Sequence, residues 1–232
     1  GANAFSDCTG LTSITIPKSV TSIGDDAFSG TPWLTNKQQD NPLVIVNGIL
    51  IDGTTCSGKV TIPDGVTSIG NYAFYNCTGL TSITIPSSVT SIGVGVFDVC
   101  TALKEVLLEN GSKLTSGNLG VDASIIKTYW NEDNLTWTLA ADGTMTISGT
   151  GTMKNYSNDS PATQKKDNIK KVVIEDGVTS IGDNAFYDCT GLTSIEIPSS
   201  VTSIGDCAFR NCIGLTSISI PKSVTSIGNF AF

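Results

Sequence analysis

The 232-residue sequence has no histidine, few aromatic residues and few charged ones. Without histidine, every mechanism that depends on an imidazole is excluded, which removes Ser-His-Asp and Cys-His catalysis and histidine-bearing metal centres. The net charge of −8 has the wrong sign for a protein that binds nucleic acid. No apolar run reaches the roughly 18 residues that a transmembrane helix needs, so we expect no membrane insertion in this segment.

Small hydroxyl side chains are what the sequence has in excess, with 30 threonines and 26 serines. Hydrophobic residues make up 39% of the chain, which is enough to form a core. The first five residues, GANAF, do not resemble a signal peptide or another targeting sequence. We therefore interpret the chain as a segment cut from a longer protein. This segment itself carries neither the signal peptide nor the anchor.

The phenylalanines recur at a fixed interval, which is the main signal in the sequence. Their successive spacings are 23, 46, 23, 89, 23 and 23 for Phe5, Phe28, Phe74, Phe97, Phe186, Phe209 and Phe232. The complete unit reads CTGLTSITIPSSVTSIGVGVFDV at 77–99, and it recurs at 8–30, at 189–211 and incompletely at 212–232. A fixed period of this length is typical of stacked repeat proteins.

One unit can be interpreted physically. The segment Ser82-Ile83-Thr84-Ile85 alternates between polar and apolar residues, which predicts a half-buried strand. Pro86 ends the strand because proline cannot donate to a ladder. We expect Gly93 to allow a turn and Phe97 to fill the core at the corner. A unit with one good strand cannot bury its apolar side alone, so the pattern predicts a solenoid of coils stacked about 4.8 Å apart.

The pattern L-x-x-I-x-I-P-x-x-V-x-x-I-G-x-x-A-F-x-x-C resembles the BspA-like leucine-rich repeat of bacterial cell-surface proteins. The resemblance covers residues 1–110 and 171–232. It implies a leucine-rich-repeat solenoid that is mainly β, with a parallel sheet on one face. It also implies a bacterial protein that is secreted or at the cell surface, mostly adhesive, and without catalytic residues.

The array is interrupted twice. Residues 31–76 form an irregular double unit, in which Asn47-Gly48 joins two apolar runs and predicts a small β-hairpin. Residues 117–170 are not the repeat; they contain two alternating strands around Asp142-Gly143 and a polar loop at 155–168. We therefore predict a first repeat array at 1–116, a cap or β insertion at 117–170, and a second array at 171–232.

The candidate binding residues lie on the outward side of the predicted strands and in the irregular segments. From the strands these are Ser82, Thr84, Glu105, Leu107, Ser194, Glu196, Ser217 and Ser219. From the irregular segments we add Trp33 and Trp130, because an exposed indole can stack on a sugar ring. Trp137 alternates with leucines and is predicted to be in the core. A row of hydroxyls is also what a merely solvated sheet presents.

Five cysteines follow the repeat phenylalanines by three residues, namely Cys8, Cys77, Cys100, Cys189 and Cys212. We interpret them as free, buried thiols, with disulfides or metal binding as the alternatives. Cys56 and Cys207 lie outside this pattern. We expect Cys207 to be partly exposed and to be the most reactive thiol, with Cys56 as a second reactive one.

These observations predict a non-catalytic extracellular module for binding or adhesion. Its partner would be a protein of the host or extracellular matrix or a glycan, and other repeats of the same parent protein could also be partners. The alternative is a passive stalk or spacer in a larger cell-surface protein. No cofactor, metal site or catalytic residue is predicted, and an enzyme is not expected.

Overall fold

A computed structural model describes residues 1–232 and divides into two compact units, Gly1–Ile126 and Lys127–Phe232. Each unit consists of stacked coils with short parallel strands and few helices. The predicted solenoid fold is confirmed.

The first unit has two sheets, one on each side of the coils. Its parallel sheet contains β3, β5 and β7, while the other sheet has the order β1-β2-β4-β6. The elements are α1 (Pro32–Asp40), β1 (Val44–Val46), β2 (Ile49–Asp52), β3 (Gly58–Thr61), β4 (Ser68–Ile69), β5 (Leu80–Ile85), β6 (Ser91–Ile92), β7 (Glu105–Glu109) and α2 (Ser116–Leu119), with a 3-10 turn at Ala123–Ile125.

The second unit also has two sheets, and one of them begins as an antiparallel meander. In this sheet β8, β9 and β10 are antiparallel, and β12 and β14 continue from β10 in parallel. The other sheet has the parallel order β11-β13-β15-β16. The elements are β8 (Ile126–Glu132), β9 (Leu135–Ala140), β10 (Thr144–Gly149), β11 (Gly151–Thr152), α3 (Pro161–Gln164), β12 (Lys171–Ile174), β13 (Val178–Ile181), β14 (Ser194–Glu196), β15 (Ser203–Ile204) and β16 (Ser226–Ile227).

The predicted hairpin at Asn47-Gly48 is confirmed, and it replaces part of a coil. Asn47 and Gly48 have φ values of 51° and 79°, as a two-residue hairpin turn requires. Strand β2 then pairs in parallel with β4, so the hairpin is built into the stack.

Helix α1 was missed by the sequence analysis. It occupies the place of the strand in the second coil, where strand patterning is lacking. The Thr31 side chain accepts a hydrogen bond from the Leu34 amide at 3.2 Å, and Pro32 follows it at the first helical position. Threonine followed by proline is a recognised helix start, and this signal could have identified the helix.

The polar stretch at 155–168 was predicted to be a loop, but it is partly ordered against the core. It contains α3, whose Ala162 is buried together with Ser160 and Tyr156. The Ser160 hydroxyl donates to the Ala185 carbonyl at 2.6 Å. These contacts fix a segment that has little hydrophobic pattern of its own.

Each coil turns its corner through residues in the left-handed conformation. One such residue lies two positions before the corner phenylalanine; the set is Asn3, Asp26, Tyr72, Gly95, Asn184, Cys207 and Phe230. A second lies two positions after it, at Asp7, Gly30, Asn76, Val99, Asp188 and Asn211. Aspartate and asparagine tolerate positive φ better than most residues, which explains their frequency at these corners.

Glycine is required in the repeat for close stacking and not for the turn we predicted at Gly93. Gly93 is not left-handed, but a Cβ there would lie 2.3 Å from the Asn71 Oδ1 atom of the preceding coil. At Gly205 a Cβ would lie 2.4 Å from the Asp183 Oδ1 atom.

An aspartate or asparagine next to each of these glycines links one coil to the next. The Asp183 Oδ1 atom accepts the Asp206 amide at 2.7 Å, and the Asp206 Oδ1 atom accepts the Asn229 amide at 2.6 Å. Together with the adjacent glycine, this hydrogen bond sets the spacing between coils.

The corner phenylalanines stack along the core. In the second unit Phe186, Phe209 and Phe232 have ring centroids 5.2 and 5.4 Å apart and almost parallel planes. Trp137 continues this column at 5.6 Å from Phe186. It is fully buried, so its predicted core position is confirmed.

Candidate functional site

A regular surface with free polar groups is formed by the solvent side of β9, β10, β12 and β14, which we call the outer face. It consists of Thr136, Thr138, Thr144, Thr146, Ser148, Lys171, Val173, Ser194 and Glu196, each half-buried or exposed. These residues alternate with buried ones, such as Trp137 in β9 and Ile147 in β10, that face the core.

The strand register arranges these side chains in rows across the sheet. One row runs from Thr144 through Lys171 to Ser194. The next runs from Thr138 through Thr146 and Val173 to Glu196. Because neighbouring strands are about 4.8 Å apart, the rows present hydroxyls at a fixed short repeat.

The hydroxyls at the centre of the outer face are not used inside the chain. Thr138 and Thr146 make no side-chain hydrogen bond with other residues, so their hydroxyls are available to a partner, whereas the Thr144 hydroxyl donates to the Asp142 carboxylate. At the edge of the face, the Lys171 ammonium pairs with the Glu196 carboxylate at 2.6 Å. The pair is exposed, which limits its contribution to stability and leaves both charges accessible.

Ser194 and Glu196 were identified from the sequence, but the threonines of β9 and β10 were not. The alternation of Leu135, Trp137 and Leu139 already placed the intervening threonines on the other side. They were missed because this pair of strands was taken as a separate cap. The parallel pairing of β10 with β12 makes them part of the same sheet.

In the first unit the corresponding surface is smaller and partly covered. Ser82 was predicted to be exposed, but it is buried, with 6% of its surface accessible. It lies between Lys59 and Glu105 on the neighbouring strands, and its hydroxyl donates to the Glu105 carboxylate at 3.0 Å. The longer flanking side chains cover it. Thr84 and Leu107 are half-buried neighbours in the next row.

Trp33 and Trp130 are not available for stacking on a ligand, which corrects their proposed role. Trp33 is 7% exposed, and its ring centroid lies 4.4 Å from that of Phe28 because the start of α1 turns it inward. Trp130 is 8% exposed and is paired in register with Trp137 on the core side of the sheet.

Ser217 and Ser219 are exposed as predicted, but they do not continue the sheet. Residues 211–220 form no strand, and no backbone hydrogen bond joins 216–220 to β14. The ordered outer face therefore ends at Ser194 and Glu196.

On the opposite side of the coils the hydroxyls bond to the preceding coil. The Thr202 and Thr225 side chains donate to the Thr179 and Thr202 carbonyls at 3.2 and 3.3 Å. The Ser200 hydroxyl donates to the Val178 carbonyl at 2.8 Å. Here the hydroxyls hold the stack together, unlike those of Thr138 and Thr146 on the outer face.

All seven cysteines are free thiols. Contrary to our expectation, Cys56 is buried, and we group it with Cys77, Cys100, Cys189 and Cys212 as the ladder thiols; the Cys77 thiol donates to the Cys56 carbonyl at 2.9 Å. Burial raises the pKa of Cys56 to about 12 and that of Cys77 to about 11. Cys207 is partly exposed, as predicted. The prediction of burial is wrong for Cys8, which is exposed, and Cys100 is only partly buried.

A buried polar cluster in the second unit has a structural explanation. The Tyr156 hydroxyl donates to the Glu132 carboxylate, which also pairs with the Lys154 ammonium at 3.0 Å. Burial, followed by this hydrogen bond, raises the pKa of Tyr156. No group of three or more cysteine or acidic side chains could hold a metal ion, and no helix is long and apolar enough to cross a bilayer.

Comparison with known proteins identifies the repeat. The model of a family described as "BspA type Leucine rich repeat region (6 copies)" matches residues 1–48, 51–119 and 160–232. No curated protein matches the chain.

Several solved structures of bacterial proteins are similar to the chain. A leucine-rich repeat protein from Eubacterium ventriosum is 32% identical over 45% of this chain and 34% of its own, with a TM-score of 0.41. One from Bacteroides ovatus is 24% identical over 96% of this chain and 40% of its own, with a TM-score of 0.30. A leucine-rich cell-surface protein from Faecalibacterium prausnitzii is 26% identical over 100% and 66%, with a TM-score of 0.33. The chain thus spans less than two thirds of each of these proteins.

Proposed function

The chain belongs to the BspA-type leucine-rich repeat family, and from this premise we propose that it is a non-catalytic extracellular module for binding or adhesion. It recognises a protein or glycan partner of the host or extracellular matrix through the outer face. The observation that carries the proposal is the pair of free hydroxyls on Thr138 and Thr146, held at strand spacing in one row of the sheet.

The chemistry of the outer face favours binding without catalysis. Threonine hydroxyls both donate and accept hydrogen bonds, but no histidine is present to activate one as a nucleophile. Each contact to such a hydroxyl is weak. A partner long enough to cross several strands adds these contacts together, and the fixed lattice reduces the entropy lost on binding.

Specificity is expected at the charged edge of the outer face. Glu196 and Lys171 are the charged groups among the hydroxyls, and a partner that bonds to one of them must match the position of the other. In the first unit Glu105 is a charged residue of β7; it takes the repeat position of Ser194, and Leu107 takes that of Glu196.

The proposal is tested by binding the chain to immobilised matrix proteins and glycans. We expect at least one partner whose affinity falls about tenfold, equivalent to about 1.4 kcal/mol, in Glu196→Lys or Thr146→Glu. Glu175→Lys, an equal charge reversal at an exposed position just after β12, is the matched control and should bind normally.

A passive stalk is the second candidate, and the bonded hydroxyls of Thr202 and Thr225 favour it, because they serve the stack alone. Failure of every immobilised partner to bind a folded chain would support the stalk. A partner that binds Glu196→Lys, Thr146→Glu and Glu105→Lys as tightly as the parent would exclude the outer face as the site.

A further inference from the structure

The first unit contains a cleft that the regular coils lack. The corner between β2 and Cys56 is two residues shorter than in the repeat: Leu50 precedes Cys56 by six residues, whereas its strand partner Ile69 precedes Cys77 by eight. This short corner has no phenylalanine, and Gly53 packs directly on the Phe74 ring, where a Cβ would lie 2.4 Å from the ring. The corners at 24–29 and 70–75 therefore stand apart with a gap between them.

The gap is a cleft of about 430 Å³ with an apolar floor and a polar rim. Leu34, Ile51 and Phe28 line the floor. At one side, the Asn71 side-chain amide donates to both Asp25 carboxylate oxygens at 2.8 and 2.9 Å and so bridges the two corners. The volume is within the range of about 300–1,000 Å³ that is typical of small-molecule sites.

Two tyrosines form an aromatic wall at the mouth of the cleft. Tyr72 and Tyr75 are 45% and 48% exposed, and their ring centroids are 6.1 Å apart in an edge-on arrangement. The Tyr72 ring is supported by Gly95 of the next coil, where a Cβ would lie 2.4 Å from the ring. A supported, exposed ring offers a flat apolar surface at little entropic cost.

The polar groups of the cleft define the chemistry of a ligand. The lining includes the carboxylates of Asp25, Asp26 and Asp52 and no lysine or arginine, which disfavours phosphates and acidic sugars. Asp52 is held by the Gln38 amide at 3.0 Å and by Thr54, whereas Asp26 is exposed and has no bonded partner. Hydroxyls of a ligand could donate to Asp26 and interact with the tyrosine and threonine hydroxyls.

We propose that this cleft binds a neutral saccharide unit, with its apolar ring face on Tyr72 and Tyr75 and its hydroxyls donating to Asp26. This inference rests on the proposed function, because it too treats the chain as a binding module. Its residues are separate from the outer face, and so the two sites are tested by different variants.

In the experiment the full chain is titrated with neutral hexose and N-acetylhexosamine disaccharides. Binding is measured by calorimetry and by ligand-observed NMR. The repeat itself supplies variants that preserve the fold. Tyr72→Asn introduces the residue found at the same corner position as Asn3 and Asn184, and Tyr75→Ser introduces the residue found at the position of Ser29. Each should weaken binding about tenfold, the loss expected for one aromatic stacking contact.

Two further variants complete the test. Asp26→Asn keeps a residue that tolerates positive φ and should weaken binding severalfold, because a neutral acceptor replaces a charged one. Tyr187→Ser is the matched control, since Tyr187 follows Phe186 as Tyr75 follows Phe74 but lies away from the cleft. It should bind as the parent does.

The inference is overturned if no neutral disaccharide binds, or if binding is unchanged in Tyr72→Asn and Asp26→Asn. It is also overturned if a lysine-rich peptide binds at these residues and the disaccharides do not, since the cleft would then be a cation site. Loss of a matrix partner in Glu196→Lys with saccharide binding intact would separate the cleft from the outer face. Absence of saccharide binding with the matrix partner intact would leave the proposed function standing.

Discussion

The regular coils of the second unit share one continuous core, whereas the first unit has two separate cores. In the second unit buried residues from Trp130 to Ala231 form one cluster. In the first, Phe28 and Trp33 belong to one cluster, and Phe74 and Phe97 belong to another. The boundary lies where helix α1 and the short corner replace the elements of a regular coil.

This difference shows that core continuity depends on every coil contributing its corner. The column from Trp137 through Phe186 to Phe209 has no missing member. Phe28 and Phe74 are two coils apart, and the coil between them has no aromatic ring at its corner; its Trp33 packs on Phe28. A single shortened corner thus converts a buried column into two columns with a cleft between them.

The largest expected effect is the loss of stability when a corner phenylalanine is replaced. Phe186→Ala should lower the free energy of unfolding by about 3–5 kcal/mol, because it leaves a cavity between Trp137 and Phe209. Phe28→Ala should cost less, about 1.5–3 kcal/mol, since Phe28 borders the cleft and its removal adds little enclosed volume. Hydrogen exchange followed by mass spectrometry would measure each unit separately. Equal losses would mean that the cleft is closed in solution.

The second effect concerns the close stacking of coils. Gly205→Ala should destabilise by about 1–3 kcal/mol, because its Cβ would overlap the Asp183 side chain and backbone of the preceding coil. Gly10→Ala is the control: no atom lies within 4 Å of its Cβ, and its backbone is not left-handed. Its change should stay within about 0.5 kcal/mol. A neutral Gly205→Ala in urea unfolding would contradict the stacking described above.

The third effect is the dependence of stability on pH. Burial raises the pKa of Cys77 and Cys212 from 9.0 to about 11, so the folded state binds these protons more tightly than the unfolded state. The stabilisation is complete below pH 9 and is lost as the pH rises from 9 to 11. Each thiol contributes a slope of about 1.4 kcal/mol per pH unit.

Because the first unit has three ladder thiols (Cys56, Cys77 and Cys100) and the second has two (Cys189 and Cys212), stability should fall more steeply in the first. Unfolding measured between pH 8.5 and 10.5 checks this. Cys77→Ala should reduce the slope, because it removes one buried thiol. An unchanged slope in Cys77→Ala would show that this thiol is not buried in solution.

The smallest effect concerns the rates at which the thiols are labelled and does not involve stability. Without denaturant, a disulfide reagent should label Cys8 and Cys207 rapidly and the five ladder thiols slowly. Rapid labelling of Cys56 would show that the irregular coil opens more readily than the regular ones. Peptide mapping of the labelled protein identifies the sites.

Much of the fold could be predicted because the same pattern of apolar residues occurs in many coils. The alternation at Ser82–Ile85 and the 23-residue spacing of the phenylalanines were enough for the strands and the solenoid. Helix α1 and the ordered part of 155–168 were harder to predict, because neither segment is repeated in the sequence. The segment at 155–168 also depends on contacts with distant residues such as Ala185.

The candidate sites were predicted less well than the fold, for reasons specific to each residue. Parity along a strand gives the side on which Ser82 lies, but not whether Lys59 and Glu105 cover it. Trp33 and Trp130 lie outside the repeat, and so no pattern indicated their burial. The cleft beside Tyr72 arises from two residues missing in another coil, an effect that local sequence reasoning at Tyr72 could not detect.

The hydrogen bonds that the Asp206 and Asn229 amides donate to the Asp183 and Asp206 carboxylates have a consequence for how such genes change length. The junctions at Asn71, Asp183 and Asp206 each join a backbone amide of one coil to a side-chain oxygen of the preceding coil. Unequal recombination that inserts or deletes 23 codons between coils of this kind therefore joins two surfaces that already fit. An array of this kind can lengthen or shorten by whole coils within a population while each intermediate protein still folds.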